Sequence, residues 1–222
     1  MKRAVLTVGV AVFLATPAAA QWLGQPIWNN PMGATGITIY GDYGKPNTDA
    51  GQGSAVGGRV ALASGSVTLT VGVASWKPEA FSSRVMSYGG TMAARLIGGT
   101  LLPVAVNLQL GGAYNPKVTS GTLAPAQPQT TTAEGAVGFS VVLPTPGITI
   151  EPYVSPGLRY HKYWNLGTLT DHDTDFGWVV GGNLSFGPVG VHLAYDSERF
   201  RGTTRDVFGV GANVAIRVPL GM

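Results

Sequence analysis

Residues 206–219 read Asp-Val-Phe-Gly-Val-Gly-Ala-Asn-Val-Ala-Ile-Arg-Val-Pro, and their order decides the fold. In an extended chain alternate residues share a face. Phe208, Val210, Ala212, Val214, Ile216 and Val218 therefore form one apolar row, and Gly209, Gly211, Asn213 and Arg217 form the other. The same split recurs upstream. Val67, Leu69, Val71 and Val73 oppose Thr68, Thr70, Gly72 and Ala74; Val104, Val106, Leu108 and Leu110 oppose Ala105, Asn107, Gln109 and Gly111; Val189, Val191, Leu193 and Tyr195 oppose Gly190, His192, Ala194 and Asp196. No apolar row carries a charge, and the opposite rows are small and polar.

Alternation alone also fits a soluble sandwich or lipocalin-like barrel with its apolar face inside. The small face excludes that arrangement, because a water-facing exterior needs charges along its strands and edges. Small residues suit the concave side of a narrow closed barrel, and the apolar rows then face lipid. Closure satisfies every backbone group within hydrocarbon, where an unpaired one costs several kcal/mol. Composition agrees: 33 of 222 residues are Gly, 11% are charged against 45% hydrophobic, and mean hydropathy is +0.20. Disordered chains combine low hydrophobicity with high net charge, and the lack of Cys excludes disulfide scaffolds and thiolate metal sites.

Ten strands are predicted, at about 34–43, 54–64, 66–76, 86–98, 101–114, 131–143, 147–163, 174–186, 188–197 and 206–219. Tight turns at Ser64-Gly65-Ser66, Gly98-Gly99-Thr100, Pro144-Thr145-Pro146-Gly147 and Gly187-Pro188 alternate with longer polar loops at 44–53, 77–85, 115–130, 164–173 and 198–205. Transmembrane barrels have this asymmetry, with short periplasmic turns and longer external loops. At the N-terminus, Met1-Lys2-Arg3, an apolar stretch from Ala4 to Ala15 and a small-residue end at Ala18-Ala19-Ala20 have the form of a secretory signal peptide. Its removal takes away Lys2 and Arg3, leaving 12 basic residues against 11 acidic, so the high isoelectric point does not argue for nucleic-acid binding. The fold class expected is all-β: a closed antiparallel up-and-down transmembrane β-barrel of eight to ten strands, ten favoured, over residues 34–222. A signal peptide at 1–20 and a lead-in at 21–33, with Trp22 and Trp28 as interfacial anchors, precede it.

The stretch Glu151-Pro152-Tyr153-Val154-Ser155-Pro156-Gly157-Leu158-Arg159-Tyr160, with Gly187 to Tyr195 and Val207 to Val218, resembles strands of small OmpA-like outer-membrane barrels. The resemblance implies outer-membrane lipid and the barrel-assembly machinery as partners, a monomer, and a structural or narrow-pore role in a Gram-negative envelope. The chain ends Pro219-Leu220-Gly221-Met222, where such barrels usually carry a terminal aromatic.

The residues able to carry chemistry fall on the inner face and in the loops. Alternation collects Arg59, Arg95, Arg159 and Arg217 with Glu134 and Glu151 inside the barrel, joined at looser register by Asp42, Asp175, His161 and His192. Opposite charges in a confined lumen pair, because an unpaired buried charge is costly. Two readings stand: a network that plugs or gates the lumen, or packing ions with no gating role. Tyr43, Trp76, Tyr88, Tyr114, Tyr163, Trp164 and Trp178 are placed in an aromatic girdle nearer the long loops. Barrel-type lipid A deacylases use a His-x-Ser pair, but Ala194 follows His192 at that spacing and Tyr163 follows His161. Asp171-His172-Asp173 could imitate an omptin-type Asp–His pair or hold calcium, without the spacing of a calcium loop. The expectation is a non-enzymatic barrel with no cofactor, no metal and no nucleic-acid partner; surface-loop adhesion, and behind it hydrolysis at the membrane rim, are the alternatives.

Overall fold

Eleven antiparallel segments follow one another around a single sheet: β1 (Gly36–Pro46), β2 (Ser54–Ser64), β3 (Val67–Lys77), β4 (Val85–Gly99), β5 (Leu102–Asn115), β6 (Thr130–Val141), β7 (Leu143–Thr145), β8 (Ile148–Tyr163), β9 (His172–Phe186), β10 (Val189–Phe200) and β11 (Thr203–Ile216). The computed structural model describes residues 25–26, 36–81, 83–99, 102–118, 128–164 and 172–216. The signal peptide, Trp22, Trp28, Arg217 and most of the 115–130 loop lie outside the described residues.

β6 and β7 are one strand interrupted at Val142. Both pair with β8 in the same register, Ser140 with Tyr153 and Leu143 with Ile150. The ladder between β6 and β8 lapses beside Pro156, which has no N–H to give it. Ten strands therefore form the wall. Pairing of β1 with β11, from Ile37–Ile216 to Pro46–Val207, joins the two ends of the sheet and leaves no open edge.

The faces divide as the alternation requires. Outward stand Val67, Leu69, Val71 and Val73 on β3, Leu108 and Leu110 on β5, Phe176, Trp178 and Val180 on β9, and Phe208, Val210 and Val214 on β11, all exposed. Val71 and Leu96 reach 64% exposure, which in water would be a large apolar penalty and in hydrocarbon is none. This is a transmembrane barrel. Inward stand small or polar residues, among them Ala61, Ala74, Ala105, Asn107, Ser140 and Ala194, all buried.

Two expectations are corrected. The loop placed at 198–205 is a two-residue turn: β10 runs to Phe200, which pairs with Thr203. Arg201 and Gly202 both have positive φ, 46° and 87°, the conformation whose twist matches a hairpin. Trp76 and Tyr163 do not belong to the lipid-facing girdle. Each continues an inward row, and they are 0% and 4% exposed. Trp76 packs with Ala55, Phe81 and Val85 inside the loop-side mouth and donates from Nε1 to the Gln52 carbonyl at 3.0 Å. Tyr163 packs against Phe200 on the opposite side.

Candidate functional site in the barrel lumen

Three clusters built around buried acids hang from the inner wall. In the first, Asp42 on β1 faces Arg59 on the neighbouring β2. The guanidinium donates from Nε to Oδ2 at 2.5 Å and from Nη2 to Oδ1 at 3.1 Å, a bidentate pair. His192 on β10 reaches the same carboxylate, Nε2 to Oδ1 at 2.7 Å, and the Arg59 guanidinium lies 4.3 Å over the Tyr40 ring. Gln25 from the lead-in is buried here and donates to the Asp42 backbone carbonyl at 3.5 Å.

The second cluster lies nearer the long loops. Arg159 on β8 meets Asp196 on β10 at 2.6 Å and Glu198 at 3.5 Å, and His161 Nε2 bonds the other oxygen of Glu198. Glu134 on β6 sits directly across the ladder from Arg159. Arg205 of β11, over the Phe200 ring at 3.5 Å, roofs the cluster together with Tyr163. In the third, Glu151 accepts from Ser140 Oγ and from Asn183 Nδ2, each at 3.0 Å.

Glycine makes this geometry possible. Asp42 and His192 are on strands separated by β11, and Arg159 and Asp196 on strands separated by β9. A side chain can join them only by lying across the strand between. There it meets Gly211 in the first case and Gly177 in the second. A Cβ at Gly177 would stand 2.5 Å from Arg159 Cζ, and one at Gly211 would meet His192 Nε2 and Asp42 Oδ1. Tyr153 lies over Gly181 in the same way. The glycines of the inner rows are therefore the spaces in which long side chains lie flat.

Of the residues expected inside, Arg59 and Arg159 centre two ion networks, Glu134 borders the second, and Glu151 is bonded by Ser140 and Asn183. Arg95 does not join them: it stands level with Ser66 in the β2–β3 turn, at the short-turn rim, where Nη2 donates to the Gly65 carbonyl at 3.1 Å. Asp42, His161 and His192 are drawn in as the looser register suggested. Asp196, already on the inner row by alternation, joins the ions there, and Glu198 and Arg205 are the residues the sequence reading missed. They extend the inward rows 192, 194, 196, 198 and 205, 207, 209, a parity hidden by reading 198–205 as a loop. His172 faces outward and stacks on Tyr160, whereas Asp173 and Asp175 follow the inward row and Asp173 binds Arg201 at 2.6 Å. His172 and Asp173 thus part to opposite faces, and Asp171 lies outside the described residues.

Every ion of the two networks is at most 9% exposed, Glu198 and His161 only 1%. A lumen filled in this way, inside a closed ten-stranded wall with an apolar exterior, defines the class: a small transmembrane β-barrel with a packed interior. A solved structure shares that fold. The beta domain of the Bordetella autotransporter BrkA superposes with a TM-score of 0.50 at 10% identity, over 81% of this chain and 98% of that one. Neisserial surface protein A (NspA) matches with a TM-score of 0.41 at 16% identity, over 83% and 100%. A bacterial polysaccharide outer membrane secretin matches with a TM-score of 0.47 at 15% identity, over 75% of this chain; the chain spans 57% of that protein's length. No protein-family model and no curated protein sequence matches the chain.

Proposed function

We propose that the protein is a small OmpA-like barrel of a Gram-negative outer membrane, reached through a cleaved signal peptide, with a structural role and a lumen closed to solutes at rest. One observation carries this reading: the lumenal ions are dry. Charges lining a water-filled conduit would be exposed to it, whereas Asp42, Arg59, Arg159, Asp196 and Glu198 are all buried by one another and by the wall. Barrels near eight strands are narrow enough for side chains to fill, and ten strands widen the interior only modestly. Two caps support the same conclusion, the Trp76, Phe81 and Val85 plug and the Tyr163, Phe200 and Arg205 roof. The role is non-catalytic in this reading, since His172 and Asp173 diverge to opposite faces of β9.

Planar-bilayer recording on the refolded chain tests it. The expected trace is flat for the native protein, with small unitary steps appearing in a variant that empties the second network, Arg159→Ala with Glu198→Ala. Steady ohmic conductance from the native chain would overturn the closed state.

A further inference from the structure

The outward charges of the barrel are confined to one end. Lys45 is the penultimate residue of β1, Lys77 closes β3, Arg84 stands just before β4, Lys162 is near the end of β8 and Arg199 near the end of β10, all at the long-loop rim. Among the described residues no outward-facing charge stands in the short-turn half.

Three of these cations form a row. Lys45 follows Gly44, the partner of Ala55, so it is level with Ser54; Ser54 pairs with Lys77; and Arg84 precedes Val85, the partner of Trp76, so it is level with Lys77. Neighbouring strands lie about 4.8 Å apart, which places Lys45 about 10 Å from Lys77 and Lys77 about 5 Å from Arg84 along the rim. Lys45 and Arg84 are exposed, and Arg84 lies on the outer wall, donating from Nη1 to the Ser75 carbonyl at 3.3 Å. On the neighbouring β11 the outward acid Asp206 is held by Asn47 Nδ2 at 3.0 Å. Below the row stand the exposed rings of Tyr43, Tyr88 and Tyr114, the outward aromatics that mark a membrane interface. The three cations thus sit at headgroup height, one step above the aromatic belt.

We infer that the Lys45, Lys77 and Arg84 row is a binding site for the phosphate-bearing headgroup of an anionic lipid in the leaflet on the long-loop side. It rests on the outer-membrane reading above. Clustered cations at this height attract anionic lipid by roughly fivefold in affinity for each Lys or Arg. A zwitterionic headgroup offers no net charge to collect.

The test uses the full mature chain refolded into phosphatidylcholine vesicles containing a minor fraction of phosphatidylglycerol. Lipid retained through detergent extraction is measured by mass spectrometry. Phosphatidylglycerol is expected to be enriched over its share of the vesicle. The variant K45Q/K77Q/R84Q is expected to lose affinity for it on the order of a hundredfold, and K45Q/R84Q, should the triple variant fail to insert, about thirtyfold. K162Q/R199Q, on the other side of the rim, is expected to keep most of it. Equal retention of both lipids, retention by the triple variant, or displacement by inorganic phosphate at matched ionic strength would each overturn the inference. Gel mobility of boiled against unboiled samples separates this from the underlying reading: a native chain that inserts and shifts on boiling but shows no lipid preference sinks the site and leaves the barrel standing.

Discussion

Replacing Arg159 with methionine keeps most of the unbranched stem and removes the cation from the middle of the second lumenal network. Asp196 then loses a partner at 2.6 Å, and Glu198 loses one at 3.5 Å while retaining His161. Breaking a buried ion pair from one side costs about 3–5 kcal/mol, because the abandoned charge stays out of water. Since Glu198 keeps a partner, the lower end, about 3 kcal/mol, is expected, which multiplies the unfolded population by roughly 150. The reading also fixes the behaviour of the pair. Asp196→Asn combined with Arg159→Met should cost less than the two single changes added together, by about 1 kcal/mol or more, the coupling expected of residues in contact. Urea unfolding of the barrel in vesicles, followed by tryptophan fluorescence and by gel mobility, measures all three variants. An Arg159→Met chain within about 0.5 kcal/mol of native, or strictly additive changes, would refute the claim that these charges are sequestered and mutually dependent.

Further changes separate the roles of individual positions. Gly177→Ala puts a methyl group where the Arg159 guanidinium lies, whereas Gly41→Ala meets nothing within 4 Å on the outer wall. The first should destabilise by about 1–3 kcal/mol and the second should be neutral or stabilise by about 0.4–1 kcal/mol, both read from the same unfolding curves. Trp76→Ala empties the centre of the loop-side plug and should cost about 3–5 kcal/mol, with faster proteolysis of the 46–54 and 77–85 loops as a second readout. Gly202→Ala forces a side chain into φ 87° at the last hairpin and should cost about 1 kcal/mol; a stabilised variant would contradict the turn geometry.

Much of the architecture was legible because a strand's side-chain period is an integer. Once Val189, Val191 and Leu193 are known to face lipid, His192, Asp196 and Glu198 must face inward, and the structure holds them there. The closing hairpin was misread because Glu198, Arg199, Arg201 and Arg205 have the composition of a solvated loop. The buried partners that turn this run into strand lie on β8, distant in sequence. Trp76 and Tyr163 were assigned by residue type rather than by parity, although Thr68, Thr70, Gly72 and Ala74 already lead to Trp76 on the inner face. What no local pattern carried is which ion meets which. Asp42 to His192 and Arg159 to Asp196 each skip a strand, and that choice depends on how far successive strands are staggered around the barrel. Arg95 shows the same limit, since the stagger of β4 against β3 sets it level with the Ser66 turn, at the rim.

The first network also bears on the order of events as the chain folds. Asp42 and His192 are 150 residues apart in sequence and belong to opposite sides of the seam where the last strand meets the first. Until β11 docks on β1, the Asp42 carboxylate and the His192 ring have no route to each other, and Gly211, the floor on which they meet, is not yet in place. Closing the seam and drying the interior are consequently one step: a chain arrested one strand short would hold a wet, charged trough open to the bilayer, and the last hairpin is what converts it to a sealed wall.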